Sequence, residues 1–497
     1  MTDAGEVDID RLPLCADWCG FGGEGHSMER WRTDRETAAW SNWGENDGNF
    51  MNGLDRDGNW VYYGTPGVRN SLNYLLSLTD TIEGLQSFSK GAGVYVIFST
   101  LTIPADASLT LGAGTVVKWQ AGGNQLIVSG SLSAMGTSEQ PVIFTSVYDD
   151  TIEGDTFDDG DYVENIKSIQ NGISLSGASS TILLVNTEIR DAGTALVLDQ
   201  HASGTLIHVT LSDVTNDGIV LFASSTLLAE DVSLLNIADD GILGFGNSLV
   251  SATNLSLTNI GDDALLAFDG SSFVLASTTL RAIGGDGVDI FAGTIDSTDL
   301  TINGIHGRAD AIGLYSSRGI PSTGTFGGLT ITDVGTGSAI GLYGSSATVT
   351  DAYMVGGDDD GVELYNGSTL SLSSSTVSNF VDAAILSFNS TVDVASSTIL
   401  SSENGIESWN SSVTIHDSTI AGNTGFGVIN QTGETGEPVD ATGNYWGDLD
   451  GPTTPEMFPE VEGDMVSDGV VTDPFLDADP TGSTDVVSII TPIPMLM

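Results

Sequence analysis

Small and apolar residues recur along this chain with a period of about 23 residues. A Gly or Ala followed by Ile, Leu or Val returns at spacings of 23, 23, 23, 23, 23, 24, 28, 22, 23, 21 and 22 residues. A fixed period in this range indicates stacked units, none of which buries its apolar face without its neighbours. The dipeptides are Gly172-Ile173, Ala195-Leu196, Gly218-Ile219, Gly241-Ile242, Ala264-Leu265, Gly287-Val288, Ala311-Ile312, Ala339-Ile340, Gly361-Val362, Ala384-Ile385, Gly405-Ile406 and Gly427-Val428.

Short apolar runs inside each repeat predict strands. In the repeat that begins at Gly218, Ile219 and Leu221 share one strand face and are predicted to point into the interior, with Val220 outside. Leu234 and Leu235 are predicted to supply a further interior contact. Each strand would pair in parallel with its counterpart one repeat away, about 4.8 Å distant. The predicted fold class is all-β, a solenoid of about 23-residue coils.

The residues in front of the regular repeats resemble a known family. Short β-branched runs separated by Gly and Ser turns fill residues 94–146, as in Leu101–Leu111 and Gly112–Trp119. This run is similar to the opening coils of secreted right-handed parallel β-helix proteins, the pectin-lyase-like group. The resemblance implies a right-handed parallel β-helix over residues 94–475.

An aromatic motif follows the last repeat. Asn444-Tyr445-Trp446-Gly447-Asp448 is followed by Gly451-Pro452, which resembles the N-[YW]-W-G-D-x-x-G-P motif that often ends such β-helices. The resemblance implies a cap over residues 438–456, where bulky aromatic side chains cover the last coil. Residues 476–497 are then predicted to be a tail.

Residues 1–70 lack the period and resemble a different family. Their motifs are similar to the C-terminal half of a bacterial lamin-tail domain, an immunoglobulin-like sandwich with a G-x-S-[LM]-E-R strand and a closing T-P-G-x-x-N. The resemblance implies a partial β-sandwich over 1–70, with residue 1 as a truncation point. Residues 71–93 are predicted to be a linker with a short helix around Leu72–Leu78. The matching runs are Gly25–Arg30, Trp40–Trp43, Gly58–Trp60 and Gly64–Asn70.

Charge limits the partners. The chain has 67 acidic and 13 basic residues, a net charge of −54, which repels phosphate backbones and excludes sequence-independent nucleic-acid binding. It also repels polyanionic polysaccharides unless a divalent cation intervenes. The acidic stretch 149–167 is predicted to loop out, because so many carboxylates cannot enter a packed interior. No apolar run approaches a membrane span. We expect an extracellular or cell-surface monomer that meets surface glycans or envelope proteins.

Acidic residues recur one position before the repeated dipeptide. Stacked carboxylates about 5 Å apart repel by roughly 3 kcal/mol at an effective dielectric constant near 20. Splaying into water, raised pKa values or Ca²⁺ shared between coils would relieve this repulsion. Solvated turn aspartates and a calcium site are therefore the two alternatives. The column consists of Asp217, Asp240, Asp263, Asp286, Asp310 and Asp360.

Aromatic residues recur four positions after the first residue of the dipeptide. Stacking between neighbouring coils stabilises such a column by roughly 0.5–1.5 kcal/mol per pair. The alternative is an outward-facing stripe that stacks sugar rings. The column consists of Phe222, Phe245, Phe268, Phe291, Tyr315, Tyr343, Tyr365, Phe388 and Trp409, and the predicted carbohydrate stripe runs from Phe291 to Trp409.

Two functions fit these patterns. The preferred hypothesis is a non-catalytic rod, a structural, adhesive or ligand-presenting module of a larger exported protein. The alternative is a carbohydrate-binding or carbohydrate-active β-helix similar to polysaccharide lyases and hydrolases. The most suggestive cluster for catalysis is His306-Gly307-Arg308-Ala309-Asp310, near the long insertion Ser316–Gly328. It departs from the G-H-G turn of the hydrolases, so no catalytic residue is assigned.

Overall fold

The computed structural model describes residues 28–30, 43–45, 75–90, 94–120, 125–153, 171–432, 437–455 and 462–482. Within those ranges, no helix is long and apolar enough to cross a membrane. The strands of the first part are Met28–Arg30, Trp43–Glu45, Leu75–Thr81, Leu85–Phe88, Val94–Ile103, Ser108–Gly112, Val116–Trp119, Leu126–Val128, Ser131–Met135, Val142–Ser146, Asn171–Ser176 and Thr181–Arg190.

The later strands follow the 23-residue repeat. They are Thr194–Asp199, Ser203–Val214, Ile219–Leu221, Thr226–Ile237, Ile242–Gly244, Leu249–Ile260, Leu265–Phe268, Ser272–Ile283, Val288–Phe291, Thr294–Ile305, Ile312–Tyr315, Thr323–Gly327, Thr330–Val334, Ile340–Tyr343, Ser346–Thr350, Tyr353–Gly357, Val362–Tyr365, Thr369–Ser373, Thr376–Phe380, Ala383–Phe388, Thr391–Ala395, Thr398–Leu400, Asn404–Trp409, Ser412–His416, Thr419–Ala421, Val428–Asn430, Val439–Asp440 and Val470–Val471.

The chain divides into two compact units, residues 1–174 with 180–195, and residues 175–179 with 196–497. In the first unit, parallel pairing joins Leu75–Thr81 to Val94–Ile103, and that strand to Val116–Trp119. The predicted linker over 71–93, with its short helix, therefore differs from the structure. The leucines of this segment form a strand because it continues the parallel ladder that would otherwise end in an unpaired edge.

The second unit stacks its coils in the register that the repeat predicts. Ile219 pairs with Ile242, and Ile242 pairs with Leu265, each in parallel. This register confirms the predicted parallel β-helix. The same column continues through Val288, Ile312, Ile340, Val362, Ile385, Ile406 and Val428.

Alternate residues of each strand point inward and fill the interior of the second unit. Ile219, Leu221 and Leu234 are 0 % exposed. Leu235, predicted to lie inside, is 39 % exposed. The reason is geometric, because adjacent strand residues point to opposite faces and only one of the two leucines can enter the interior.

Polar ladders support the turns between coils. Asn236 and Asn259 have φ angles of 56° and 58°, a left-handed conformation that asparagine tolerates better than most residues. The Asn259 side-chain amide donates to the Asn236 side-chain oxygen at 2.8 Å. Each such pair joins equivalent turns of neighbouring coils.

The aromatic motif near the C-terminus is buried. Trp446 is 0 % and Tyr445 7 % exposed. The Asn444 side chain accepts from the Ser418 backbone N–H at 2.9 Å and donates to the Ile415 carbonyl at 2.7 Å. Beyond the predicted boundary of the β-helix, the Leu476 N–H donates to the Asn444 carbonyl. The first residues of the predicted tail are therefore bonded to the motif.

Two predictions concern the N-terminal part of the chain. Met28–Arg30 and Trp43–Glu45 pair antiparallel, but the rest of 1–70 lies outside the described residues, so the lamin-tail resemblance stays a prediction. Most of the acidic stretch 149–167 also lies outside them. Asp149 itself does not loop out, since it is 3 % exposed and forms an ion pair with Arg190 at 3.0 Å.

A matched pair of leucines tests whether the interior stabilises the coils. Leu234 and Leu228 share the strand Thr226–Ile237, but Leu234 is 0 % and Leu228 54 % exposed. We expect Leu234→Ala to lower the free energy of unfolding by about 2–5 kcal/mol through lost burial and a cavity. Leu228→Ala should change it by less than about 0.5 kcal/mol. Urea titration followed by circular dichroism measures both, and equal losses would contradict the assignment of inside and outside.

Candidate functional site

The outward residue of one strand in each coil changes character along the second unit. In successive coils Val220, Leu243 and Leu266 are apolar and pack together. The next coils carry Asp289, Gly313, Gly341 and Glu363 at the same register position. An apolar column thus gives way to two acids that flank two glycines.

The predicted aromatic column lies beside these outward positions as a continuous stack. From Phe245 to Tyr365 the centroids of neighbouring rings lie 4.7–5.7 Å apart with interplanar angles of 1–15°. The pairs that involve Phe388 are tilted by 36° and 35°. Coil spacing is close to the optimal distance for ring stacking, so residues of one column stack on one another.

This stacking limits how the predicted carbohydrate stripe could meet a ligand, and the stripe itself stays a prediction. A sugar ring stacks on the face of an aromatic ring, and the faces of Phe291, Tyr315 and Tyr343 are covered by their neighbours on both sides. Only ring edges and, for tyrosine, the hydroxyl groups remain to meet a ligand. Tyr365, Phe388 and Trp409 belong to the looser end of the stack, where Trp409 is 37 % exposed.

The two glycines allow the tyrosine rings to lie over the strands. A Cβ atom at Gly313 would lie 2.6 Å from Cε2 of Tyr315, and one at Gly341 would lie 2.9 Å from Cε2 of Tyr343. A side chain at either position would displace the ring. With glycine there, the Tyr315 hydroxyl reaches Oδ2 of Asp310 at 3.5 Å, and the Tyr343 hydroxyl donates to Glu363.

The predicted aspartate column is also present, and it is bonded to the backbone. The N–H of Asp286 donates to Oδ1 of Asp263 at 2.7 Å, and the N–H of Asp310 donates to Oδ1 of Asp286 at 2.7 Å. Asp240 and Asp360 accept in the same way from the N–H of the next coil. Asp240, Asp310 and Asp360 are 9 %, 8 % and 3 % exposed, so the alternative of solvated turn aspartates does not describe them.

A gap in the aspartate column opens a cleft. Ser338 takes the column position between Asp310 and Asp360, and its N–H donates to Oδ1 of Asp310 at 2.9 Å. Ser338 and Gly341 belong to one coil, so a small side chain and a missing one occur together. The cleft has a volume of about 550 Å³ and is lined by Asp286, Arg308, Asp310, Tyr315, Thr336, Gly337, Ser338, Tyr343, Asp358, Asp359 and Glu363.

Two buried polar side chains have unsatisfied atoms, Ser338 in the lining of the cleft and Asp289 outside that lining. Ser338 is 1 % and Asp289 6 % exposed. Oγ of Ser338 and Oδ1 of Asp289 have no hydrogen-bond partner within the structure. Buried polar atoms are rarely left unpaired, which indicates that the cleft has a polar ligand or ordered water.

Burial raises the pKa values of the acids around the cleft. Burial raises the pKa of Asp310 to about 7, with a further contribution from the Glu363 and Asp286 carboxylates. Burial likewise raises the pKa of Asp289 to about 9. Burial and the neighbouring carboxylates also raise the pKa values of Tyr315 and Tyr343, so both hydroxyls stay protonated as donors.

Glu363 has a different environment from Asp310. Burial raises its pKa, but the hydroxyls of Tyr343 and Tyr365 oppose that rise by donating hydrogen bonds to the charged carboxylate. Asp310 has a backbone donor and one more distant tyrosine. The cleft therefore combines an acid that holds its proton near neutral pH with a carboxylate that has two hydroxyl donors.

Three acidic triads could hold a metal ion. In each, one ligand atom per residue lies within 4.8 Å of the other two, among the residues that the structure describes. They contain four members of the predicted calcium column, Asp217, Asp240, Asp263 and Asp360, together with acidic residues next to the column. The triads are Asp217, Asp239 and Asp240; Asp240, Asp262 and Asp263; and Asp359, Asp360 and Asp382. Calcium binding stays a prediction.

The sequence located part of this site. Arg308 and Asp310, from the cluster singled out for catalysis, line the cleft with Tyr315 and Tyr343. The column members Asp217, Asp240 and Asp263 lie in earlier coils. Glu363, Ser338 and Asp289 were missed. Their signal is a departure from the repeat, because each stands where equivalent coils carry another residue type.

The sequence matches the family model described as the right handed beta helix region over residues 151–293 and 295–438. The chain therefore belongs to the right-handed β-helix family, which confirms the predicted fold class and handedness. A comparison with curated protein sequences finds no significant match.

Solved structures are similar to this chain only at low identity and low TM-score. The periplasmic alginate epimerase AlgG is 7 % identical, with a TM-score of 0.34, covering 76 % of this chain and 77 % of that one. The A-module of the Azotobacter vinelandii mannuronan C-5 epimerase AlgE6 is 12 % identical, with a TM-score of 0.38, covering 76 % and 91 %. The catalytic domain of a GH87 alpha-1,3-glucanase in complex with nigerose is 10 % identical, with a TM-score of 0.33, covering 78 % and 72 %. We draw nothing about function from likenesses this distant.

The raised pKa values predict that stability falls as pH rises. Burial raises the pKa of Asp240 and Asp286 to about 7 and that of Asp360 to about 8, from 3.8. Between about pH 4 and pH 8 the folded chain therefore binds more protons than the unfolded chain, so stability decreases across this window. Thermal unfolding at constant high ionic strength measures the effect. Asp286→Asn should flatten the slope and Asp296→Asn, an exposed control, should not; a melting temperature independent of pH would contradict the prediction.

Calcium is expected to act on the same carboxylates. If the triads bind Ca²⁺, titration at pH 7 should release heat and raise the melting temperature, because an ion that binds only the folded state stabilises it. Replacing Asp359 and Asp382 by Asn should remove one class of sites. Absence of both heat and a melting shift in the unaltered chain would exclude calcium.

Proposed function

We propose that the cleft between Asp310 and Glu363 binds a glycan and catalyses hydrolysis of a glycosidic bond. The proposal rests on the pairing of two carboxyl groups with different environments in one cleft. Glycosidases use such a pair, an acid with a raised pKa and a second carboxylate that stays ionised. An extracellular or cell-surface location is part of the proposal, and the strongly acidic composition supports it.

Asp310 is the proposed general acid. With its pKa near 7, Asp310 is protonated in about half of the protein molecules at pH 7. An ordinary aspartate is protonated in only on the order of one molecule in a thousand at this pH. Its Oδ1 is engaged by the Ser338 N–H, which leaves Oδ2 to donate the proton to the leaving oxygen of the glycan. The Tyr315 hydroxyl, 3.5 Å from Oδ2, would hold that oxygen in place.

Glu363 is the proposed second carboxylate. Burial raises the pKa of Glu363 above its usual value, and hydrogen bonds from Tyr343 and Tyr365 limit that rise by favouring the ionised form. A fixed negative charge at this position would stabilise the positive charge that develops on the sugar ring in the transition state. Arg308, an exposed residue of the cleft lining, offers donors for sugar hydroxyl groups.

The alternative is a non-catalytic surface module. The hydrogen-bonded aspartates and the aromatic stack favour it, because they act across many coils outside the cleft. In that case glycans would bind in the cleft without release of products, and the rod would present or attach ligands in a larger exported protein.

Hydrolysis of polysaccharides tests the proposal. We expect release of reducing ends from at least one member of a panel of neutral, acidic and amino polysaccharides, assayed with and without Ca²⁺. Asp310→Asn and Glu363→Gln should each lower the rate by about 10²-fold or more, whereas Asp296→Asn should not. Activity should decline as pH rises through about 7, because Asp310 loses its proton. Glycan binding without release of products would leave only the non-catalytic function.

A further inference from the structure

The lining of the cleft has an unbalanced charge. Five carboxyl side chains line it, and the only cationic side chain among the described lining residues is Arg308, which is exposed. The chain around it has a net charge of −54. A ligand with a negative charge would be repelled both at long range and in the cleft. The five carboxyl residues are Asp286, Asp310, Asp358, Asp359 and Glu363.

The hydrogen-bonding groups of the cleft are mostly acceptors. Ionised carboxylates accept hydrogen bonds and donate none. The Tyr343 hydroxyl is already committed to Glu363. Ser338 adds an oxygen that is buried and without a partner. An ideal ligand would therefore bring donors, and a primary ammonium group brings three donors and no acceptor.

The arrangement fits an organic cation better than a metal ion at the centre of the cleft. Among the described residues, the acidic triads tight enough to share a metal ion contain neither Asp310 nor Glu363, and Asp359 is their only member in the lining. Hard cations such as Ca²⁺ need several oxygen ligands at 2.3–2.6 Å. The carboxyl groups of the cleft are instead spread around a space of about 550 Å³, which is large enough for a sugar residue.

We propose that the glycan bound in the cleft carries primary ammonium groups, that is, an amino sugar with free amines. This inference rests on the proposed glycan site and names its substrate class. The ammonium group lies among Asp358, Asp359 and Glu363 and uses Ser338 Oγ as a neutral acceptor, while Asp310 keeps its proton for the glycosidic oxygen. The sugar ring occupies the cleft beside Ser338 and Tyr343.

Three oligosaccharides with one backbone test the proposal. Hexamers of β-1,4-linked glucosamine, N-acetylglucosamine and glucose differ at carbon 2, which carries an ammonium, an acetamide or a hydroxyl group. We expect the glucosamine hexamer to bind at least about tenfold more tightly than the other two at low salt, and the difference to shrink as salt is added. Isothermal titration calorimetry with the full chain at pH 6 measures all three.

A charge-conserving variant separates the cleft from general attraction between a polycation and an acidic protein. A Cβ atom at 341 would lie 2.4 Å from Oδ2 of Asp310 and 2.9 Å from Cε2 of Tyr343, so Gly341→Ala displaces two side chains of the cleft lining without changing the charge. It should weaken binding of the glucosamine hexamer about tenfold or more. Gly327→Ala is the control, since its Cβ atom would be 3.7 Å from the nearest atom. Melting curves of both variants check that they fold.

Each outcome decides one of the two proposals. Equal affinity for the three hexamers would overturn the amino-sugar specificity and keep the glycan site. Tight binding of glucosamine that Gly341→Ala leaves unchanged would also overturn it, because the attraction would then not involve the cleft. Binding of none of the three would overturn the amino-sugar proposal, whereas hydrolysis of another polysaccharide would still support the proposed function.

Discussion

Parallel register between coils is the constraint on which the rest of this structure depends. Once Ile219 lies over Ile242 and Ile242 over Leu265, every other position of the repeat is also stacked, at about the strand spacing of 4.8 Å. Apolar residues then form a continuous interior. Asparagine side chains form hydrogen bonds with the equivalent asparagines of the next coil, and aromatic rings stack on their equivalents. Both follow because the register places equivalent side chains next to one another at this distance. For carboxylates the same register brings like charges together, and proton uptake and backbone N–H donors relieve the repulsion.

The candidate site arises where the repeat is interrupted. Ser338 stands where neighbouring coils place an aspartate, and it lines the cleft; Gly341 lacks the outward side chain that other coils carry. Glycine also lets the Tyr343 ring lie over the strand and donate to Glu363. Regular positions stabilise the solenoid, whereas the exceptions shape a surface on it. A repeat protein can thus carry a specific site without an inserted domain.

The sequence predicts the regular part of this molecule well, because periodicity alone determines which residues stack. The strand register, the buried column through Ile219 and the aromatic stack are as expected. The carbohydrate stripe stays a prediction, since recurrence indicates that Phe291 and Tyr315 are neighbours but does not tell whether their faces or their edges meet solvent. Glu363 and Ser338 could not be predicted from the period, because the neighbouring coils carry Gly341 and Leu386 beside Glu363 and aspartates on both sides of Ser338. The strands at Leu75–Thr81 and Leu85–Phe88 precede the recognisable period and were therefore predicted as a linker.

Electrostatics links the stability of the solenoid to the chemistry of its cleft. The carboxyl groups of Asp240 and Asp286 are stacked in the same column as Asp310, so all three share the cost of burial and raised pKa values. In the regular coils, a retained proton only relieves repulsion. At Asp310 the column is followed by Ser338, and the proton faces an open cleft instead of another aspartate. The crowded carboxylates of the column therefore retain protons, and at the interruption beside Ser338 the proton of Asp310 would be available to a bound ligand.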